Sequence, residues 1–420
     1  MRKPETVEHL YIDCDGFFAS VEQQMRPRLR ERPVGVVPFG DTERTGLIAV
    51  SKEAKMLGIK GFMSIREARR ICPDIQIVAQ SPDLYRRAHN ALTMQISSVL
   101  PIDVIKSIDE LSCRLDSTAI HNPAAVAHEV KKAVSDNIGP YITLTMGAAA
   151  NRHLAKIACK QAKWHDGVYG DGLAVWKPED MPGPLLQMDI KDIPGIGPNM
   201  RQRLYHANIY STESLYRTDP KLMRKIWGNV NGERLWYALH GYDIEAEESK
   251  QGMIGHSRVL PPENRSLQGS REVARLLAVK AARRLRRANL YASGLWVWLA
   301  QRDSNWRHME RMMAVNDDHS ILLALERAWR VAAAQLPVGP IFNLGVTLLD
   351  FSQANECQED LFNTDMDERR KWEATTRAID ELNQRYGQTV ISLGEWRQPS
   401  GGYAGGKISF SRIPDAEDFW

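Results

Sequence analysis

Asp13 and Asp15, and then Asp109 and Glu110, stand at the ends of two short apolar runs far apart in the chain. Carboxylates are hard oxygen donors, and a magnesium-type ion takes a few of them while keeping waters and substrate phosphates. Three such groups on one sheet edge could hold two divalent ions. Such a pair activates a hydroxyl and stabilises a leaving pyrophosphate in an in-line displacement. Asp13 alone would read as a strand-end turn residue; the constellation points to chemistry. The five cysteines, Cys14, Cys72, Cys113, Cys159 and Cys357, form no C-x-x-C pair and are odd in number. That pattern speaks against a zinc site or disulfide framework and fits a reducing cytoplasm.

The elements around these acids follow from periodicity. His9–Asp13 reads as a short buried strand, and Leu84, Ala88, Leu92, Ile96 and Val99 recur at helical spacing. Asp103–Ile108 and Ser112–Leu115 read as a hairpin. Asn122 is an N-cap with Pro123 at the first helical position, Val126, Val130 and Val134 form the stripe, and Gly139 ends the helix. A strand over Tyr141–Met146 and a helix over Asn151–Lys163 follow. With residues 24–78 set aside as an insertion, the order is the split βαβ, ferredoxin-like one. There strand 1 lies antiparallel to strand 3, so topology alone brings the two acid pairs together.

Composition places limits on this reading. The chain has 420 residues, 43% hydrophobic and 25% charged, with a net charge of +3. That length suits two to four domains, and no apolar run is long enough for a membrane span. The N-terminus lacks the apolar core of a signal peptide. Residues 251–350 carry 14 Lys and Arg against 8 Asp and Glu, whereas residues 351–420 carry 8 against 13. A basic module before an acidic tail suggests that the module meets a polyanion.

Tyr11-Ile12-Asp13-Cys14-Asp15-Gly16-Phe17-Phe18-Ala19-Ser20-Val21-Glu22 resembles the opening motif of the Y-family DNA polymerases. Ser107-Ile108-Asp109-Glu110 resembles their second catalytic motif, and Asn151–Ala158 the helix after the last palm strand. The resemblance spans residues 9–350. It implies Asp13, Asp109 and Glu110 as catalytic metal ligands, with the Cys14 carbonyl as a further oxygen and Asp15 as a supporting acid. The metal would be Mg²⁺, as two ions, with Mn²⁺ as a substitute. It implies Phe18 as a steric gate that excludes a 2′-hydroxyl by clash. The N–H groups of Gly16, Phe17 and Phe18 would cradle the triphosphate. Lys52, Lys55 and Lys163 fall at nucleotide-binding positions, but the family commonly has Tyr and Arg at the first two. Lys163-Trp164-His165-Asp166-Gly167 is also one residue longer than the family's Lys-Pro-x-Gly. These departures lean from the polymerase IV branch toward the polymerase V catalytic subunit.

Ile193-Pro194-Gly195-Ile196-Gly197 looks like a helix-hairpin-helix turn, with Gly195 and Gly197 letting backbone approach a DNA phosphate. Arg283, Arg284, Arg286 and Arg287, with Lys280, lie on one helix and are expected to grip DNA phosphates. Trp296, Trp298 and Trp306 are expected as packing residues. Gln358-Glu359-Asp360-Leu361-Phe362 resembles the peptide that docks bacterial polymerases on the sliding clamp, through Gln358, Leu361 and Phe362.

The expected fold is α+β and multidomain: a right-hand polymerase with ferredoxin-like palm, small fingers, helical thumb and α/β little finger. Its boundaries are palm 1–23 and 79–170, fingers 24–78, thumb 171–246, linker 247–254, little finger 255–350 and tail 351–420. The tail is expected to hold a helix over Glu368–Tyr386 and a strand over Thr389–Leu393. The expected function is translesion DNA synthesis on primer-template DNA with deoxynucleoside triphosphates. Expected partners are the clamp and other mutagenesis proteins, in the cytoplasm and without a membrane. The alternative is a catalytically inactive scaffold, which loss of one of the three carboxylates would mark; all three are present.

Overall fold

The computed structural model describes residues 1–38, 43, 45–164, 171–244, 251–353, 366–394, 413 and 415–419. The chain forms two compact units that divide between residues 247 and 248. No helix among the described residues is long and apolar enough to cross a membrane.

The first unit opens with β1 (His9–Cys14) and α1 (Phe17–Met25). An inserted subdomain follows: β2 (Val34–Val37), β3 (Ala49–Val50), α2 (Lys52–Met56), α3 (Ile65–Ile71) and β4 (Gln76–Ala79). Its three strands form their own sheet in the order β3-β2-β4. Ser51 and Ser64 cap α2 and α3, and Val37, Leu47, Ile59 and Ile75 lie in the small core beneath. The chain then returns through α4 (Pro82–Ser97), β5 (Ile102–Ile105), β6 (Glu110–Arg114), α5 (Pro123–Asn137), β7 (Leu144–Ala149) and α6 (Arg152–Trp164). Asn122 caps α5 by accepting from the Ala125 N–H, with Pro123 at its first position as expected.

The main sheet has the order β5-β6-β1-β7-β8, where β8 is Leu173–Val175. The expected ferredoxin-like neighbourhood is present: β1 pairs antiparallel with β6, and Asp13 stands opposite Glu110. Helix α6 lies tight against this sheet at Gly147, where a Cβ would come within 2.1 Å of the Cys159 nitrogen. Any larger residue there would push the helix away from the strand.

Two expectations for this unit are corrected. Residues 171–246 are not all helical, because β8 adds a fifth strand parallel to β7. Its three residues are too few to show alternation in the sequence. The buried face of α4 is Tyr85, His89, Leu92 and Ile96, with Leu84 and Ala88 only partly covered. Two polar-tipped aromatic rings therefore hold positions that apolar counting passed over. The helical remainder comprises α7 (Gly183–Leu186), α8 (Pro198–His206), α9 (Thr212–Tyr216), α10 (Pro220–Trp227) and α11 (Val230–Leu239). Leu235 and Leu239 are buried there, and Trp227 and Trp236 pack against the same core.

The second unit is built from β9 (Met253–Val259), α12 (Leu267–Arg287), β10 (Leu290–Ala300), β11 (Asn305–Val315), α13 (Asp318–Gln335), β12 (Asn343–Gln353) and α14 (Met366–Tyr386). Its sheet has the order β11-β10-β12-β9 and is antiparallel throughout. Leu295, Val297 and Leu299 face the helices and are fully buried. The linker expected over 247–254 is shorter at its end, since Met253 and Ile254 pair with Leu349 and Leu348. Thr389–Leu393 is not a strand: Asn383 accepts from the Val390 and Ile391 N–H groups and holds that segment against α14.

Candidate active site

The register of β1 and β6 assembles the acids. Asp13 and Glu110 are cross-strand partners, and the Cys14 N–H donates to the Asp109 carbonyl at 2.9 Å. Each carboxylate has its own donor. Lys163 pairs with Asp13 and lies 3.7 Å from Asp15. Ser107 donates to Asp109 at 2.5 Å. Glu110 accepts from the Tyr11 hydroxyl at 3.0 Å and from Lys156 at 2.9 Å. Thr145 and Thr143 donate to Asp15 at 2.8 and 3.2 Å. Among the described residues no three His, Cys, Asp or Glu side chains are already gathered to hold a metal ion.

Electrostatics explains that arrangement. Burial pushes the Asp13 carboxyl up to about 7, although Lys163 beside it works the other way. Burial likewise acts against the Lys163 ammonium, yet Asp13 and Asp15 hold it above the usual lysine range. The two lysines thus supply positive charge where crowded carboxylates need it. Three hard oxygen donors on adjacent backbone positions fit the donor set of Mg²⁺. The Cys14 thiol is buried, and burial raises its pKa well above the ordinary value. Only its backbone oxygen is chemically suited to such an ion.

Gly16 makes the turn from β1 into α1. Its φ is +56°, and a Cβ would meet the Val50 carbonyl at 2.7 Å, so glycine is required. The Phe17 and Phe18 N–H groups fall in the first turn of α1, where a helix leaves N–H groups without intrahelical partners. Lys55 extends to the same place, with Nζ 3.7 Å from the position of that Cβ. Lys52 and Lys55 lie on the exposed side of α2, and Ser51 and Ala54 on the buried side. The Phe18 ring stacks on Tyr85 with centroids 4.4 Å apart and planes at 13°.

Tyr85, Tyr11 and Lys156 had no role assigned from the sequence. Tyr11 and Lys156 lie inside the recognised motifs, and Tyr85 recurs with His89 and Leu92 at helical spacing. His89 donates from Nδ1 to the Ile108 carbonyl at 2.7 Å, tying α4 to the segment that carries Asp109.

Gly195, with φ +93°, and Gly197, the N-cap of α8, sit in the expected hairpin turn, and the space beside both is open. Lys160 fastens that turn to α6 by donating to the Asp192 carbonyl at 2.9 Å.

The arginine run on α12 requires correction. Arg286 is mostly buried and pairs with Asp318 at 2.8 Å and Asp380 at 2.6 Å, and Arg283 meets Asp380 at 3.3 Å. Arg287 pairs with Asp415, and Arg284 donates to the Gly255 carbonyl. Arg283, Arg284 and Arg286 thus tie α12 to α13, α14 and β9, whereas Arg287 at the end of the helix stays exposed. Trp296 and Trp298 are half-buried on the sheet face opposite the helices, and Arg307 is exposed as the cross-strand partner of Trp298. Gln358, Leu361 and Phe362 lie outside the described residues.

Comparison with known proteins agrees with this geometry. Residues 12–160 match the model of the impB/mucB/samB family, and residues 252–361 that of the impB/mucB/samB family C-terminal domain. A DNA polymerase IV of Moorella thermoacetica is 30% identical over 395 residues, covering 91% of this chain and 94% of the relative. DNA polymerase IV 1 of Bacillus subtilis is 26% identical over 396 residues, covering 91% and 92%. A solved Y-family polymerase chimera, Dbh-Dpo4(243-245)-Dbh, superposes with a TM-score of 0.67 at 21% identity, covering 82% of this chain and 99% of that one. The fold is therefore the α+β fold of the Y-family polymerases. The chain belongs to the impB/mucB/samB family, the bacterial Y-family polymerases. It is a DNA-directed DNA polymerase.

Proposed function

We propose that the chain extends primers past damaged template bases, with Asp13, Asp109 and Glu110 as the carboxylates that hold two Mg²⁺ ions. The observation carrying this reading is the β1–β6 register, which sets Asp13 opposite Glu110 with Asp109 next to it. Bound there, the ions would supply charge for an in-line nucleotidyl transfer. The Cys14 carbonyl is the further oxygen available to them.

The chain's own residues do the rest. The Gly16–Phe18 N–H groups and Lys55 take the triphosphate, with Lys52 beside them on α2. Lys163, paired with Asp13, would be free to turn to phosphate once metal ions engaged that carboxylate. Phe18, braced by Tyr85, excludes a 2′-hydroxyl. Most of the rate then comes from positioning and preorganised charge.

The subdomain of residues 24–78 serves as fingers, the helices after β8 as thumb and the second unit as little finger. Gly195 and Gly197 offer backbone to DNA phosphates. In the second unit the DNA contact is assigned to the sheet face around Trp296, Trp298 and Arg307, since Arg283 and Arg286 are engaged with acids. Gln358, Leu361 and Phe362 would dock on the sliding clamp and raise the effective concentration at the primer end. The setting is the bacterial cytoplasm, with other mutagenesis proteins as partners.

Primer extension with Mg²⁺ and deoxynucleotides tests this reading. Asp109→Ala should abolish extension while DNA binding persists, and extension by the wild type should continue past an abasic template site. An active Asp109→Ala protein would remove the metal assignment, and a wild type that stops at every lesion would remove the translesion role. Deleting residues 358–362 should weaken clamp binding and leave distributive extension intact.

A further inference from the structure

The Tyr11 hydroxyl makes a contact that the packing of its ring does not require. The ring is buried in one apolar core with Leu154, Ala155 and Ala158 of α6. A phenylalanine would fill the same space, so the hydroxyl alone needs a reason. Tyr11 stands two residues before Asp13 on β1, and side chains two apart share a face of a sheet. The register sets Tyr11 opposite Ser112 and Asp13 opposite Glu110, so Tyr11 and Glu110 are diagonal neighbours. From that position the Tyr11 hydroxyl donates to Glu110 Oε2 at 3.0 Å.

Lys156 shares both groups. Its ammonium donates to the Tyr11 oxygen at 3.0 Å, to Glu110 Oε2 at 2.9 Å and to Glu110 Oε1 at 3.2 Å. Two donors therefore converge on Oε2, and Oε1 has only the longer contact to the lysine. An ionised carboxylate offers about four lone-pair sites, so Oε1 keeps capacity for a cation. Tyr11 also gives Lys156 a second acceptor, on which the ammonium can stay when a metal ion takes its share of Glu110.

We propose that Tyr11 is a positioning residue for metal binding: its hydroxyl fixes the Glu110 carboxylate through Oε2 and leaves Oε1 to the ion. The inference rests on the reading of Glu110 as a metal ligand and deepens it, because Tyr11 acts through Glu110 and touches no substrate. Removing a group that holds a metal-binding side chain from behind costs roughly ten- to a hundredfold in metal affinity.

Mn²⁺ uptake, read from the loss of its free EPR signal, tests this. The protein is bound to a dideoxy-terminated primer–template with the matching nucleotide, so that no chemistry occurs. Tyr11→Phe keeps the ring and should weaken the acid-dependent Mn²⁺ sites about tenfold. The Mg²⁺ concentration for half-maximal extension of an ordinary primer should rise by a similar factor, with DNA affinity unchanged. Thr212→Val removes another buried hydroxyl, which donates to the Met188 carbonyl at 2.6 Å. It should lower the melting temperature and leave Mn²⁺ uptake as in the wild type, which separates lost stability from lost positioning. Lys156 is partly exposed, and Lys156→Met removes a competing cation while Tyr11 stays on Glu110. Mn²⁺ should bind that variant at least as tightly as the wild type, and this result decides the matter if Tyr11→Phe does not fold. Equal Mn²⁺ affinity in Tyr11→Phe and the wild type would overturn the proposal. A tenfold loss in Lys156→Met would also overturn it, by giving the positioning to the lysine. Asp109→Ala is titrated alongside. If it takes up as much Mn²⁺ as the wild type, the reading of the acids as the metal site fails. If its uptake falls while that of Tyr11→Phe does not, only the role of Tyr11 is lost.

Discussion

Phe18 and Tyr85 stack face to face, 4.4 Å between centroids, and the Tyr85 hydroxyl donates at 2.8 Å to Glu22, a fully buried carboxylate. Arg26 completes that anchor at 3.2 Å from Glu22. The Phe18 ring, proposed above as the gate, therefore has a fixed backing instead of a free rotamer. Tyr85→Ala should raise ribonucleotide incorporation, by less than Phe18→Ala does. Tyr85→Phe keeps the stack but leaves Glu22 short of a donor, which should cost about 1–3 kcal/mol of stability with sugar selection nearly unchanged. Incorporation ratios for matched ribo- and deoxynucleotides, with thermal melting, separate the two effects. Unchanged discrimination in Tyr85→Ala would show that the gate stands without support.

Arg286 ties α12 to Asp318 and Asp380, and α14 adds the stack of Trp372 on His319 and the buried Thr376. Arg286→Met should destabilise the second unit by about 3 kcal/mol, because it leaves the buried Asp318 carboxylate unpaired while Asp380 keeps Arg283. DNA affinity of the folded protein, measured below its melting transition, should change little. A variant that melts normally but loses affinity for DNA would restore Arg286 as a phosphate ligand.

His153 is a pH-sensitive element of α6. Burial, then Lys156 and Arg152, lower its pKa from 6.5 to about 4. The unfolded chain takes up this proton more readily than the folded one. The stabilising effect is therefore complete above about pH 6.5 and is lost as pH falls toward 4. His153→Leu should flatten the fall in melting temperature over that window, and an unchanged profile would assign the acid sensitivity elsewhere.

Phe62 has φ +67° and is 82% exposed. A bulky residue in the left-handed region is strained by about 1–2 kcal/mol, and so exposed a ring recovers little of it by burial. Phe62→Gly should relieve part of that strain and raise stability by up to about 1 kcal/mol in chemical denaturation. A loss of stability would mean that the ring packs in solution.

What the amino-acid order determined by itself was local or topological. Alternation and helical spacing mark β1, α4, α5 and α6, and the strand order they imply brings Asp13 beside Asp109 and Glu110. Asn122 and Pro123 state the start of α5 without help from the rest of the chain. The tertiary structure decided which polar groups meet. Arg286 reads as a solvent-facing cation along α12, because its acids lie 32 and 94 residues away. Tyr85 reads as one more helix residue until the turn at Gly16 carries Phe18 onto it. β8 became a strand only because the edge of β7 was there to pair with. Periodicity reports which face of an element is buried, whereas charge pairing, ring stacking and edge pairing depend on elements that only folding brings into contact.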